Sequence, residues 1–510
     1  MQSGEPGTIP VWSHVFGPNA KTVIVVPSID YDVLRYEYSP GVEHLEERML
    51  FTLFWLARSR LQLIYVTSTM LDPSAIAYYL RYLPDADDAR SRVRFLTIND
   101  ESHRPLAAKL LERPDHLDDL RALILDPEST RLLPFKVTHN EIALAQALGL
   151  RLAGPSRDAL YLGTKSGARL VADIAGASLP DGDRDLRSVS DVNSAIGALL
   201  ERYPQPEAVV LKLNKGVGGV GNAIVERPRI PLDESQIAFG SSLHDWTTFQ
   251  QEIERQGAVV EELIRGPGIV SPSVQMVIGP DATSHEISTH DQVLGDPEHQ
   301  TYQGCRFPAD PAYRNAIRDE AERIAKVLSS RGVVGFFSVD LIVGPQAPQR
   351  LIYICEINLR MSATTLPYFT AQALTRGIYE DATGDLIAAG RAKYYFSTDN
   401  LRSDAYIGLS PEAAIEAIDR NDLGFDKNRG TGVALHMLGA LRRYGRVGVT
   451  CIGDSPGEPD TLYRETQTAL GGGRLPRKGW PRRSSRSDSG PISSCGAKTQ
   501  TFADASRIGP

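Results

Sequence analysis

Cysteine is scarce in this chain: Cys305, Cys355, Cys451 and Cys495 are the only four in 510 residues, and no two form a C-x-x-C pair. That spacing excludes a zinc ribbon and a thioredoxin-like motif. It suits a reducing compartment, so a cytoplasmic location is expected. No apolar run approaches the ~20 residues of a membrane span, and the N-terminus lacks the basic-then-apolar pattern of a secretory signal. An excess of basic charge is missing too. The net charge of −8 argues against non-specific nucleic-acid binding. Several nucleotide and protease signatures are absent as well. Without G-x-x-x-x-G-K-[ST] there is no Walker-A loop, without H-R-D and D-F-G no protein kinase, and without H-E-x-x-H no zinc protease of that kind. His139, His285, His290 and His436 read as ordinary polar or core residues.

What is present supports a substantial core, with 42% hydrophobic and 23% charged residues. The length predicts roughly two to four domains. Residues 1–20 read as a loose leader. From Lys21 onward, short apolar runs alternate with helical patterns. Lys21 to Pro27, Leu61 to Thr67, Arg92 to Thr97 and Arg121 to Leu125 read as strands. Val42 to Arg60 and Pro73 to Leu83 read as helices, the first placing Leu45, Met49, Leu50, Leu53, Phe54 and Ala57 at helical spacing. This alternation predicts a parallel, Rossmann-like α/β layer. After its first strand stands Pro27-Ser-Ile-Asp30 instead of a glycine fingerprint, so the layer is expected to act as scaffold and substrate-side wall.

The stretch from Val209 to Val225 reads strand, glycine-rich turn, strand. Lys212 sits near the end of the first run, and Gly216, Gly218, Gly219 and Gly221 fill the turn. A dinucleotide fingerprint must open a helix; here a β-branched run follows almost at once, so the glycines mark a hairpin tip. Such a tip exposes backbone N–H groups and suits a cover over phosphates, but it is equally compatible with a plain surface turn. Upstream, Gly163-Thr-Lys165-Ser-Gly167 opens a helix on a lysine. A cation there opposes the macrodipole and invites an anion. Downstream, Asp340 interrupts the apolar strand Val333–Val343, and Glu356 and Asn358 lie two apart in the strand Arg350–Leu359. Spacing of two puts both on one strand face. The three side chains are hard oxygen ligands suited to Mg²⁺ shared with substrate phosphates. Charge inside an apolar strand is costly unless it is paired or metal-bound.

The order is a lysine before a helix, a lysine before a glycine hairpin, the strand end Glu261-Glu262-Leu-Ile264, then Asp340 and Glu356-Ile-Asn358. It resembles the ATP-grasp superfamily of carboxylate–amine ligases. The similarity is closer to peptide ligases related to the one in pheganomycin biosynthesis, and it runs from about Val23 to about Tyr463. Ser288-Thr-His290-Asp291-Gln292, Gly304-Cys305-Arg306-Phe307-Pro308 and Glu356-Ile-Asn358-Leu-Arg360 carry it further.

The resemblance implies a pre-ATP-grasp Rossmann-like domain over 21–157 and an ATP-grasp domain of two α+β subdomains clamping ATP over 158–398. A small C-terminal domain follows over 399–468, and 469–510 would be a disordered basic tail. It implies Lys165 and Lys212 on the α- and β-phosphates and Gly216 to Gly221 as a flap. Glu261, Glu262 and Ile264 would line the adenine, with Glu261 accepting from its amino group. Asp340, Glu356 and Asn358 would hold Mg²⁺, with Mn²⁺ as a substitute ion. Arg360 and Arg306 would serve the γ-phosphoryl group and the acyl phosphate. The reaction implied joins a small carboxylate to an amine, amino acids or peptides, with release of ADP and phosphate. Neither nucleic acid nor membrane is an expected partner, and homo-oligomerisation stays open. Three positions depart from the pattern: Gly268 replaces an acid, Ser338 an arginine, and Leu366 a histidine. Leu366 keeps a non-catalytic ATP-binding protein of the same fold as the alternative. Cys305 is expected to be a packed thiol. From Arg474 onward there are eight basic against two acidic residues with almost no apolar pattern.

Overall fold

The computed structural model describes residues 11–29, 41–57, 60–203, 207–217, 219–241, 244–295, 301–345 and 351–473. Residues 1–10 of the expected leader, Gly218 and the basic tail from Arg474 lie outside the described residues. Residues 11–20 are not loose. Val11–Val15 is a 3₁₀ turn, and Val15 and Phe16 are buried in the main core.

The first sheet is parallel, built from β1 (Thr22–Val26), β2 (Gln62–Thr67), β3 (Val93–Thr97), β4 (Thr130–Pro134) and β5 (Arg151–Leu152) in the order β3-β2-β1-β4-β5. β1 lies between β2 and β4, and Val23 to Val26 are fully buried, as a strand covered on both faces requires. Alternation divides these side chains between two cores. Val23 and Val25 pack with Phe51, Phe54 and Trp55, while Ile24 and Val26 pack with Leu106, Leu110 and Leu144 on the other face. The helix over Val42–Ala57 forms where expected but winds as a 3₁₀ helix, unusually long for that type. Arg121–Leu125 is not a strand. It straddles the end of the helix Pro114–Ala122, which starts on a proline at its first turn, and Leu125 is exposed. The strand that belongs here is β4, buried along its whole length.

The second sheet contains β6 (Gly182–Leu186), β7 (Ala208–Val217), β8 (Val220–Glu226), β9 (Ile237–Phe239) and β10 (Ala258–Glu262), ordered β6-β10-β7-β8-β9. β7 and β8 are the glycine hairpin. The third sheet has ten strands. β11 (Pro272–Ile278), β12 (Ser284–Gly295), β13 (Thr301–Phe307), β14 (Gly335–Val343) and β15 (Ile352–Asn358) form one half. β16 (Ile378–Glu380), β17 (Asp385–Ala388), β18 (Arg391–Arg402), β19 (Gly432–His436) and β20 (Arg446–Gly453) form the other. The helix Arg314–Ser330 lays Ile317, Ala321, Ile324, Ala325 and Leu328 against Val274, Met276, Phe337 and Val339 of this sheet.

β18 pairs with β13 on one side and β20 on the other, and its pairing with β20 resumes at Leu401 after an irregularity that follows Thr398. The C-terminal strands therefore extend the same sheet. A helix spans Pro411–Arg420, with proline in its first turn and Ser410 Oγ accepting from Ala413 N. One core unites the parallel layer with the third sheet. Phe51 and Phe369 stack with centroids 5.5 Å apart and planes at 6° inside it. Among the described residues no helix is long and apolar enough to cross a membrane.

Candidate active site

The helix Lys165–Ala175 opens on Lys165 and is capped by Thr164, whose side chain accepts from Gly167 N. Lys165 and Arg169 lie four apart, hence on one helical face. Both are buried. Lys165 Nζ is 2.6 Å from Glu356 Oε1 on β15, and Arg169 Nη1 is 2.7 Å from Glu261 Oε1 on β10. One turn of helix thus ties the second sheet to the third.

On β7, Val209, Leu211 and Leu213 point into the core of the second sheet, which sends Lys212 to the opposite face. There Lys212 Nζ meets Glu261 Oε2 at 2.6 Å and Cys355 Sγ at 3.7 Å. Burial opposes charge on Lys212, but Cys355 and Glu261 raise its pKa above the ordinary lysine value. Burial likewise opposes charge on Glu261, yet Lys212 and Arg169 hold its pKa below the usual carboxylate value. Glu261, expected at the adenine amino group, is thus clamped between two cations. Glu262 Oε1 accepts from Asp181 N at 3.1 Å, and Ile264 is half-buried in the turn after β10.

The hairpin is glycine-built for steric reasons. A Cβ on Gly216 would stand 2.6 Å from Val220 O, and Gly219 and Gly221 have φ of 88° and 93°. Val217 pairs with Val220 at the tip.

The register of β14 and β15 sets Asp340 opposite Glu356 and Ser338 opposite Asn358. Asp340 Oδ1 accepts from Ser273 Oγ at 2.6 Å and Oδ2 from Asn358 Nδ2 at 3.0 Å. Arg360 Nη2 donates to Asn358 Oδ1 at 2.9 Å. Burial, and then the charge of Glu356, push Asp340 up to about 6. Glu356 goes the other way: Lys165 outweighs its burial and holds it low. Two carboxylates facing each other, one of them raised, plus an amide oxygen, form a donor set that fits a hard divalent cation. Among the described residues no cluster of three or more His, Cys, Asp or Glu exists, so such an ion would complete its shell with substrate oxygens.

Lys165, Lys212, Glu261, Asp340, Glu356, Asn358 and Arg360 therefore converge. Arg306 does not join them. It forms a two-pronged pair with Asp460, at 2.9 and 2.8 Å, and lies over the Phe396 ring. Leu366 is buried in the main core, and Ser338 is fully buried next to the cluster. Cys305 is fully buried, and burial pushes its thiol up to about 12, which suits a packed residue. Arg169 was not anticipated as a site residue, although its i, i+4 spacing from Lys165 was a signal for it. Asn214 was also missed; its Oδ1 accepts from Ser166 N at 2.9 Å and fixes the start of the lysine helix to β7.

Two α+β units, one carrying the glycine hairpin of β7 and β8 and the other the paired carboxylates of β14 and β15, make up the ATP-grasp architecture. Residues 226–379 match the family described as IQCH-like, ATP-grasp, and residues 413–466 match the PGM1 C-terminal domain. The L-propargylglycine–L-glutamate ligase of Streptantibioticus cattleyicolor is 30% identical over 470 residues, 90% of this chain and 96% of that one. IQ motif-containing protein H of Danio rerio is 21% identical over 435 residues, 74% of this chain and 41% of the longer protein. Among solved structures, the Campylobacter jejuni biotin carboxylase complex with βγ-ATP superposes with a TM-score of 0.54 at 13% identity, covering 88% of this chain and 90% of that one. An ADP complex of N5-carboxyaminoimidazole ribonucleotide synthetase gives 0.52 at 12%, covering 88% and 96%. The chain belongs to the ATP-grasp ligases, in the pheganomycin-type peptide-ligase group. It is an ATP-dependent ligase.

Proposed function

We propose that the chain joins the carboxylate of one amino acid to the amine of another, in keeping with a relative named for L-propargylglycine and L-glutamate. The substrate carboxylate attacks the γ-phosphoryl group of ATP, giving an acyl phosphate and ADP. The amine then adds to the acyl carbon, phosphate leaves, and the nitrogen loses its proton. The chain's own part is to position the reactants and neutralise charge, without a covalent nucleophile.

Lys165 and Lys212 bind the α- and β-phosphates, exchanging carboxylate partners for phosphate oxygens, and the Gly216–Gly221 hairpin covers them. Glu262 and Ile264 line the adenine together with the clamped Glu261. Asp340, Glu356 and Asn358 hold Mg²⁺, which when bound offsets phosphate charge. Arg360 supports the transferring phosphoryl group, and Arg306, paired with Asp460 in the free chain, serves the acyl phosphate by the same exchange of partners. The divisions at 157/158 and 398/399, and a cytoplasmic setting suggested by three free cysteines, complete the reading.

The observation that carries it is the convergence of Lys165, Glu356 and Asp340 from a helix and two strands into one cluster. Its test is ADP release from ATP with a panel of carboxylate and amine pairs. Release that needs both substrates is expected, and ATP binding without release under any pair would refute it.

A further inference from the structure

The parallel sheet has a switch point. From β1 the order runs to β2 on one side and β4 on the other, and open α/β sheets bind ligands in the crevice at the carboxyl ends of such neighbours. The helix following β1 carries Arg48. The segment leaving β4 carries Phe135, and Lys136 there bridges to Arg360 of the candidate active site. A small, mainly apolar pocket with a few charged and polar groups lies here, lined among others by Arg48, Phe135, Tyr302, Ser362, Asp399 and His436. Ser362 follows Arg360 by two residues, so the pocket adjoins the phosphoryl-transfer group.

Its charges are largely buried. Arg48 pairs with Asp399, their side chains 18% and 11% exposed. Arg446 Nε donates to the Asp399 backbone carbonyl at 2.9 Å; burial opposes charge on the Asp399 carboxyl, but Arg48 and then Arg446 hold it below the usual range. Arg48 Nε is buried with no hydrogen-bond partner among the described residues. The free volume is ≈ 10 Å³, room for about one water. A ligand must therefore part the Arg48–Asp399 pair rather than fill a void. A zwitterion can do so without stranding either charge, because it brings one group for each.

We propose that this pocket binds the amine-donating α-amino acid, Arg48 taking its α-carboxylate and Asp399 its ammonium group. The assignment to the amine donor is chemical. A carboxylate that must reach the γ-phosphoryl group cannot stay on Arg48, whereas the amine donor keeps its own carboxylate throughout. The inference rests on the ligase reading above.

The test uses the full chain with ATP, Mg²⁺ and a panel of carboxylic acids. ADP release is compared for each of the twenty common L-amino acids and its α-amide, which lacks the negative charge. Hydroxylamine is run in parallel; it traps an acyl phosphate as a hydroxamate and has no carboxylate, so it reports the ligase reading without the pocket. The expected result is that a free amino acid drives release and its α-amide has a KM at least about tenfold higher. Arg48→Gln should raise KM for the free acid by a similar factor without further raising that of the amide, and Arg48→Lys should recover part of the loss. KM for ATP should move less than about twofold in these variants, which a general loss of structure would not allow. Hydroxamate formation with equal KM for acid and amide would overturn the pocket while leaving the ligase standing. Absence of any hydroxamate would instead count against the ligase reading. The pocket is then judged by thermal shift of the wild-type chain with the same twenty amino acids: a shift that Arg48→Gln abolishes supports it, and no shift overturns it.

Discussion

Lys165 Nζ lies 2.6 Å from Glu356 Oε1, so the cation assigned to phosphate holds the carboxylate assigned to metal. Both ligands of the reaction must separate this pair, and each then takes one of the partners. Removing Lys165 leaves Glu356 uncompensated against Asp340. Lys165→Ala should therefore lower the thermal unfolding midpoint without ligands, by the equivalent of roughly 3 kcal/mol. Added Mg²⁺ should raise that midpoint more in the variant than in the wild type. An identical Mg²⁺ shift in both would mean that the pair does not mask a metal ligand.

Glu261 is shared by Lys212 and Arg169, which makes the two cations unequal in function. Lys212→Ala should abolish ATP-dependent amide formation while the circular dichroism spectrum stays that of the wild type. Arg169→Ala should raise KM for ATP about tenfold, the usual scale of a lost charged hydrogen bond, by releasing Glu261 from its place. Steady-state kinetics separate the two effects, and an unchanged KM in Arg169→Ala would rule out that positioning role.

The parts legible in the sequence are those written in local periodicity. Apolar runs at β1, β14 and β15 mark buried strands, and a spacing of two puts Glu356 and Asn358 on one face. Helical spacing gives Leu45, Met49, Leu50, Leu53 and Phe54 as one buried set. What stayed hidden depends on distant pairing. β4 was overlooked in favour of Arg121–Leu125 because an apolar run of that length suits a strand or a helix end equally well. The joining of β13, β18 and β20 in one sheet is a matter of partners far apart in sequence. The partner of Arg306 is of the same kind: Asp460, on the last described helix, is distant from it in sequence. Arg48 and Asp399 came together only in three dimensions.

Two buried histidines give the protein an acid-sensitive fold. In the unfolded chain imidazole titrates near 6.5, whereas burial pushes His290 down to about 3 and His436 to about 4. The unfolded state binds these protons first as pH falls. Their contribution is therefore complete above about 6.5 and is lost between there and about 3 to 4, at roughly 1.4 kcal/mol per pH unit for each proton. Unfolding midpoints followed from pH 7 to pH 4 should fall, and His290→Asn should fall with a shallower slope. Equal slopes would show that His290 is not held neutral.

Cys305 sits in a motif beside the site but is fully enclosed, with a thiol pushed up to about 12. Cys305→Ala should keep kcat within a fewfold of wild type and lose only modest stability from the small cavity. Loss of turnover in a folded variant would reassign this thiol to the chemistry.

The most direct measurement is ADP release by wild type and by the Glu356→Gln/Asn358→Ala double variant as carboxylate and amine are supplied together and singly. The account predicts release by wild type only with both substrates, with amide product in equal amount, and none by the folded double variant. Full amide formation by that variant, or ATP bound by wild type with no release under any pair, would contradict it.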